Sequence, residues 1–162
     1  MSEAQQTAKK TARERLEERG KVPRDVVAVR AGGRVLDLHT PFDAAAEFEP
    51  IKADEPDGLE VVRHSTAHVM AEAVQRLFPG TQVTIGPAVE DGFYYDFDRP
   101  DGPFTDDDLR RIEAAMADIA KADTPFRRRV VGRAEAVERF RKLGEHYKVE
   151  IIESRPEGEE LT

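Results

Sequence analysis

The residues best suited to chemistry in this sequence are two histidines four positions apart, His64 and His68, in the stretch Arg63 to His68. On a helix, side chains four apart project from one face about one turn apart. Neutral imidazole both donates and accepts hydrogen bonds near pH 7, so such a pair can orient a water molecule and a substrate hydroxyl, or hold a metal. The same spacing also suits two histidines that border an ordinary helix surface.

The composition limits the kind of protein that such a pair could serve. The 162 residues include 25 basic and 33 acidic side chains, with a formal net charge of -8, so any contact with RNA must come from a local patch. The absence of cysteine excludes disulfides, thiolate metal sites and cysteine nucleophiles within these residues. No apolar run approaches the roughly 20 residues that span a bilayer. We therefore expect a cytoplasmic protein of one or two small domains, without a membrane partner.

A long helix is expected to carry the histidine pair. Apolar residues from Leu59 to Leu77 recur at helical spacing, and Phe78 to Gly80 ends the pattern. Asp54 to Gly58 has the composition of a linker in front of this helix. The histidines thus fall within the first half of the best helical pattern in the sequence.

The elements before this helix are expected to be a hairpin and a short strand. Ser2 to Gly20 is dense in charged residues, which predicts a solvated helix or a flexible arm with little packing. Apolar residues then surround the turn Ala31 to Arg34, as in a hairpin. A short strand is expected near Phe48 to Ile51.

The elements after the helix are expected to alternate between strand and helix. In chain order they are paired strands at Val83 to Ile85 and Phe93 to Phe97, a helix capped by Thr105, a basic strand at Phe126 to Val131, a helix at Arg133 to Leu143, a strand at Tyr147 to Ile152 and a polar tail. Because the order lacks the regular strand, helix, strand repeat of a parallel sheet, it predicts an α+β fold.

A locally basic stretch is a candidate for RNA contact. From Arg127 to Lys142 only Glu135 and Glu138 oppose the positive charges. The residues that we predict to bind RNA phosphates are Arg127, Arg128, Arg129, Arg133, Arg141 and Lys142. The alternative is an ordinary charged surface, balanced by the acidic helix that begins at Asp106.

Two segments together carry a resemblance to a known family. His64 to His68, followed by Ile85 to Phe97, resembles the second N-terminal domain of threonyl-tRNA synthetases. The likeness covers about Gly58 to Ile152, and a looser one places Val26 to Ile51 on the later part of the ubiquitin-like TGS domain. The implied regions are a charged helix or flexible arm at 1–20, a partial TGS-like region and linker at 21–58, and an editing domain, incomplete at its C-terminus, at 59–162.

The resemblance implies an editing hydrolysis and assigns roles to particular residues. It implies that His64 and His68 line the catalytic pocket, that Tyr95 lies near the bound aminoacyl end, and that Lys148 supplies a positive charge or a proton near the ester. Without it, Tyr95 would be a half-buried strand aromatic and Lys148 a solvated strand residue. The hydrolysis needs no cofactor; zinc at His64 and His68 is an alternative with an incomplete ligand set, and ATP and zinc otherwise serve only the family's aminoacylating core.

The sequence also departs from the family pattern. The family completes its pocket with a later Cys-Arg-Gly-Pro-His segment, which is absent from these residues, and Ser2 to Gly20 stands in place of the early TGS domain. We therefore expect an N-terminal fragment of a threonine-tRNA ligase that lacks the aminoacylating core. Its partners would be the acceptor end of tRNA(Thr) and the remainder of the synthetase or a complementing chain. The alternatives are a free-standing trans-editing deacylase and a non-catalytic tRNA-binding or regulatory module.

Overall fold

Two compact units make up the chain, Met1 to Val62 and Arg63 to Thr162. The computed structural model describes residues 8–124, 129–158 and 161. Helices and strands are mixed, and the strand pairs within these ranges are antiparallel, so the α+β prediction is confirmed. Within the described residues, no helix combines the length and apolar character that crossing a membrane requires.

The first unit is built on antiparallel strands and one short helix. Its elements are β1 (Lys9–Thr11), α1 (Ala12–Glu17), β2 (Val26–Ala31), β3 (Arg34–Asp37), β4 (Pro41–Asp43) and β5 (Phe48–Lys52). Strands β3, β2 and β5 form one sheet in that order, and β1 pairs with β4. Gly32 and Gly33 both have positive φ, 56° and 75°, as the tight turn between β2 and β3 requires. The predicted hairpin and the strand near Phe48 are confirmed.

The described part of the charged N-terminal segment packs, so the expectation of little packing there was wrong. Thr11 caps α1 through a capping box with Glu14. Ala12 and Leu16, one helical turn apart, are buried in a core with Val29 of the central strand. Charged side chains cover the other faces of this short helix. The composition of the segment is therefore mostly charged, although its two apolar residues share one face.

Helix α2 (Pro56–Leu77) begins earlier than expected and replaces most of the predicted linker. Proline suits the first turn of a helix because its fixed φ matches and its missing N–H would be unpaired there. A Cβ on Gly58 would lie 1.8 Å from the carbonyl oxygen of Lys52, so only glycine fits at this point. The turn-forming composition of Asp54 to Gly58 therefore marks a helix start.

The second unit combines short strand pairs with three further helices. Its elements after α2 are β6 (Gln82–Val83), β7 (Ala88–Val89), β8 (Gly92–Phe93), β9 (Phe97–Asp98), α3 (Asp106–Lys121), α4 (Arg133–Lys142) and α5 (His146–Ser154). Strand β6 pairs with β9 and β7 with β8. The core includes Ala73 and Val74 of α2, Phe78, and Ile112 of α3. The Thr105 cap predicted for α3 is confirmed as a capping box.

Two predicted strands of the second unit were wrong in the part that the structure describes. Tyr147 to Ile152 lies in helix α5, where Val149 and Ile152 are buried and α5 contacts α4. Their spacing of three places both on one helical face, so packing overrides the strand preference of the β-branched residues. Of the basic strand, residues 125–128 lie outside the described part, and Val131 makes only an isolated bridge with Leu161.

Candidate functional site

The two histidines of α2 present their rings to one another. Nε2 of His64 lies 3.0 Å from Nε2 of His68, and the ring planes meet at 79°. The prediction that both rings share one helical face is therefore confirmed. A nitrogen pair at this distance needs one N–H donor and one unprotonated acceptor, so the arrangement disfavours protonation of both rings.

The surroundings of His68 favour its neutral form. Its pKa is lowered from the usual value, first because neighbouring atoms partly desolvate the ring, and then because His64 and the Lys148 ammonium lie nearby. Both histidines nevertheless keep solvent-exposed area. A neutral, accessible imidazole can accept a proton from water, which is the property a general base requires.

Lys148 lies in the first turn of α5 and is half-buried. Its Nζ donates a hydrogen bond of 2.6 Å to the carbonyl oxygen of Thr84 and lies 6.0 Å from the centre of the Tyr95 ring. Burial lowers the pKa of Lys148, while the negative charge of Glu145 acts in the opposite direction. Lys148 is therefore not the fully solvated lysine expected from spacing alone, because its ammonium lies between other groups of the protein.

Tyr95 follows the β7–β8 hairpin and is held on two sides. Its ring stacks on Phe97 with centroids 4.9 Å apart and planes 18° apart. On another side the ring lies so close to Gly86 that a Cβ there would be 2.3 Å from Cδ2 of Tyr95. Burial, and then Glu145, raises the pKa of the Tyr95 hydroxyl, so this group stays a hydrogen-bond donor.

A cavity of about 1020 Å³ lies next to these side chains. His68, Tyr95 and Lys148 all line it. His64 does not line the cavity but is hydrogen-bonded to His68, which does. The apolar part of the lining is Ala71, Val83, Val131, Ala136, Phe140, Ile151, Ile152 and Leu161. The other charged residues of the lining are Glu72, Arg76, Arg129, Arg139 and Arg155. The lining therefore combines apolar side chains with an excess of positive charge, although Arg76 pairs with Glu72 and Arg129 with Glu135.

The histidine pair is the natural place to look for a metal site, because imidazole nitrogens are common metal ligands. Across residues 8–124, 129–158 and 161, no three His, Asp or Glu side chains come together as a metal-binding group. Catalytic zinc sites usually have three protein ligands and structural sites four. His64 and His68 supply two, so the described residues alone do not fit a zinc ion.

Comparison with known proteins points to one family, although no family model matches the chain. The threonine-tRNA ligase of Oleidesulfovibrio alaskensis is 55% identical over 139 residues, which is 85% of this chain and 21% of that protein. That of Desulfovibrio desulfuricans is 56% identical over 138 residues, 83% of this chain and 21% of the relative. That of Phenylobacterium zucineum is 50% identical over 136 residues, which is 84% of this chain and 20% of the relative.

The chain matches an N-terminal part of threonyl-tRNA synthetases. This level of identity confirms the resemblance drawn from the histidine pair and the segment Ile85 to Phe97. The chain spans about a fifth of the length of these threonyl-tRNA synthetases.

The stretch predicted to bind RNA is largely engaged in contacts within the protein. The ion pairs are Arg129 with Glu135 at 3.2 Å, Arg141 with Glu153 at 2.7 Å and Lys142 with Glu138 at 2.6 Å. Arg133 donates to the carbonyl oxygens of Ile152, Arg155 and Pro156 at 2.5–2.7 Å. Arg127 and Arg128 lie outside the described residues. Of the described residues in this prediction, only Arg129 lines the cavity.

Sequence reasoning missed two cationic residues of the lining. Arg76 belongs to α2, and Arg155 follows α5. Neither lies in the basic stretch Arg127 to Lys142, and their place in the cavity depends on how the helices pack. Arg139 of α4, which does lie in that stretch, also lines the cavity.

Proposed function

We propose that this chain is part of a threonine-tRNA ligase whose parent enzyme charges tRNA(Thr) with threonine using ATP. We further propose that the second unit belongs to the domain that hydrolyses seryl-tRNA(Thr) after transfer. The observation that carries the proposal is the meeting of His68, Tyr95 and Lys148 around one cavity, with His64 bonded to His68. The acceptor end of tRNA(Thr) is the proposed partner, and the cytoplasm is the expected location.

A second site is physically reasonable for such an enzyme. Serine lacks one methyl group of threonine, and a missing methylene changes binding by only about 1–3 kcal/mol. A pocket that selects threonine therefore admits serine at an appreciable rate. Hydrolysis in a separate pocket that serine enters and threonine does not can correct the error.

The groups around the cavity suit the hydrolysis of an ester. A water oxygen attacks the seryl carbonyl carbon, and the proton of that water passes to the neutral imidazole of His68, which His64 orients. The Lys148 ammonium and the Tyr95 hydroxyl are the donors proposed for the carbonyl oxygen as negative charge develops on it. The ester C–O bond then breaks, and the imidazole returns the proton to the ribose oxygen, releasing serine and tRNA.

The lining of the cavity supports a nucleic-acid substrate in a chain of net negative charge. Its arginines supply positive charge suited to the phosphates of an acceptor strand. Phe140 and the aliphatic lining residues offer apolar surface to a base. A local cationic cavity in an acidic protein favours a specific anionic ligand over general attraction to polyanions.

The catalytic group that the family resemblance implies is incomplete within these 162 residues. The chain has no cysteine, so the later Cys-Arg-Gly-Pro-His segment is not among them. We therefore propose that the chain alone hydrolyses seryl-tRNA(Thr) very slowly or not at all. A metal at His64 and His68 stays a prediction that would require further ligands.

Binding of a non-hydrolysable amide analogue of seryl-adenosine tests the site without requiring turnover. In NMR titrations, the seryl analogue should shift the signals of His68, Tyr95 and Lys148, and the threonyl analogue should bind more weakly. His68→Ala should weaken binding, whereas His146→Ala, which changes an exposed histidine outside the cavity, should not. Shifts confined to other residues, or equal affinity for both analogues, would contradict the proposal.

A turnover assay separates this proposal from the alternatives. Robust hydrolysis of seryl-tRNA(Thr) by the chain alone, abolished by changing His64 and His68 to alanine, would favour a free-standing deacylase. Binding of tRNA(Thr) that weakens steeply with salt, together with analogue shifts outside the cavity, would favour a non-catalytic binding module.

A further inference from the structure

The segment from Tyr95 to Arg99 leads from the cavity towards the core of the second unit. Its backbone is extended, because β9 pairs with β6 and Asp96 is hydrogen-bonded to residues 84 and 85 opposite it. Side chains two apart on an extended chain point to the same side, so Tyr95, Phe97 and Arg99 share one face. Tyr95 lines the cavity, whereas Phe97 and Arg99 do not. The face thus connects a residue of the proposed site with two residues that lie away from it.

Four aromatic rings, in the order Tyr95, Phe97, Phe104 and Phe78, form an aromatic series along this route. The rings of Tyr95 and Phe97 are stacked with centroids 4.9 Å apart. Those of Phe97 and Phe104 meet edge to face at 5.8 Å and 88°, and those of Phe104 and Phe78 meet at 5.4 Å and 62°. All three separations lie in the range of about 4.5–7 Å that aromatic pairs prefer. The series ends in the core, where Phe78 is buried.

A charged pair holds the core end of the aromatic series. Cζ of Arg99 lies 4.3 Å from the centre of the Phe78 ring and 5.1 Å from that of Phe104, as in cation–π contacts. Nη1 of Arg99 lies 3.0 Å from Oδ2 of Asp108, and the two side chains are only 15% and 12% exposed. The same oxygen accepts a hydrogen bond of 3.1 Å from the backbone N–H of Thr105, directly after Phe104. Phe104 is therefore fixed relative to the start of α3.

The stack of Tyr95 on Phe97 cannot by itself hold the Tyr95 ring in one place. Two stacked rings can slide together over one another, and Phe97 is only half-buried. The edge of contact with Phe104 restricts Phe97 on a side that Tyr95 does not cover. Exact placement matters, because a misplacement of about 1 Å can reduce a reaction rate on the order of 100-fold.

Building on the role proposed for the Tyr95 hydroxyl, we propose that Phe104 is a positioning residue that holds the Tyr95 ring at the cavity through Phe97. Phe104 restricts the movement of Phe97, and Arg99 keeps Phe104 against Phe78. Phe97 and Phe104 do not touch the substrate, so they act on the hydrolysis only through Tyr95.

The first test follows the ring signals of Tyr95 by NMR in the full chain with ¹³C-labelled tyrosine. Tyr95→Phe assigns these signals. Stacking on Phe97 shields the ring protons, so Phe104→Leu should move them towards the values of an unstacked tyrosine. The substitution leaves both stacked rings in the protein, so the shift reports a change in their placement. The signals of Tyr94, whose ring is largely exposed, should not move.

The second test measures binding of the non-hydrolysable amide analogue of seryl-adenosine. Phe104→Leu should weaken binding several-fold, because the Tyr95 hydroxyl is no longer held in place. Ile119→Ala is the matched control, since it removes the same number of side-chain carbon atoms from the same core, near the other end of α3. Its folded form should keep both the affinity and the Tyr95 signals of the unchanged protein.

A double-mutant cycle tests whether Phe104 acts through Phe97. Phe97→Leu should weaken analogue binding at least as much as Phe104→Leu, and the double variant should bind no more weakly than Phe97→Leu alone. If Phe104→Leu does not fold, Phe104→Met, which keeps more of the side-chain volume, takes its place.

Unchanged Tyr95 signals in the folded Phe104 variant would overturn the proposal, as would equal effects of Ile119→Ala or additive effects in the cycle. The ring signals need no ligand, which separates this proposal from the proposed hydrolysis. Tyr95 signals that move as expected, in a protein whose unchanged form fails to bind the seryl analogue, would support the positioning by Phe104 and count against the hydrolysis.

Discussion

Replacing Gly86 by alanine should displace Tyr95 and destabilise the second unit. The added Cβ would lie 2.3 Å from Cδ2 and 2.6 Å from Cε2 of the ring, whereas carbon atoms prefer separations of about 3.5–4.0 Å. The ring would have to move by roughly 1 Å or more, against its stacking on Phe97. Overpacking of this kind costs about 1–3 kcal/mol.

Urea unfolding followed by tyrosine fluorescence measures this loss. The protein has no tryptophan and its three tyrosines all lie in the second unit, so the signal reports on that unit alone. With a urea dependence of about 1–3 kcal/mol per molar, the midpoint should fall by on the order of 1 M. The analogue titrations described above should show weaker binding, because the displaced ring belongs to the cavity wall.

Gly92→Ala is the matched control for Gly86→Ala. A Cβ on Gly92 meets nothing within 4 Å, and Gly92 lies in the same hairpin region. Its unfolding free energy should change by no more than about 0.5 kcal/mol. In a double-mutant cycle with Tyr95→Ala, most of the cost of Gly86→Ala should disappear. Equal effects of the two glycine substitutions, or additive effects in the cycle, would refute the contact between Gly86 and Tyr95.

Three further outcomes are expected. Hydrogen bonding to the backbone N–H of Thr105 lowers the pKa of Asp108 in the folded protein. The ionised carboxylate therefore stabilises the fold fully above its unfolded pKa, and this stabilisation is lost as the pH falls through the lower folded pKa. The unfolding free energy should accordingly fall less steeply with decreasing pH in Asp108→Asn than in the unchanged protein. Lys148→Met should raise the pKa of His68 in an NMR titration, because a repelling charge is removed. Arg133→Met leaves carbonyls of the α5 terminus unpaired and should cost about 1–3 kcal/mol in urea unfolding, whereas Arg141→Met, which breaks an exposed ion pair, should cost less than about 1 kcal/mol.

Local signals in the sequence were enough to predict the elements whose ends are marked by nearby residues. The helix of the histidine pair has apolar residues at helical spacing up to Leu77. Thr105 and the acidic residues that follow it mark the start of α3. Gly144, with a φ of 75°, ends α4 as expected from a helix that stops at glycine. In each case residues within one or two turns determine the backbone.

Elements whose state depends on distant partners were predicted wrongly. In isolation, the β-branched residues between Tyr147 and Ile152 favour a strand as much as a helix. The buried pair Val149 and Ile152 stabilises the helix only because α4 is present to pack against it. The same applies to α1, in which Leu16 has a core to enter only once the strands of the first unit have assembled. Sequence periodicity over so few residues cannot decide between the two states.

Residues of the basic stretch Arg127 to Lys142 differ in how far their charges are already paired within the protein. In α4, Glu138 and Lys142 are four residues apart, so the helix itself pairs them, and Glu153 from α5 neutralises Arg141. Arg139 lies on the same helix but lines the cavity, and no ion pair or hydrogen bond of its guanidinium to another described residue is found. A cation without an internal partner can bind a phosphate without first breaking a contact. Arg139→Gln should therefore weaken tRNA binding and its salt dependence more than Lys142→Gln does, and equal effects in anisotropy titrations would show that position in the cavity does not matter.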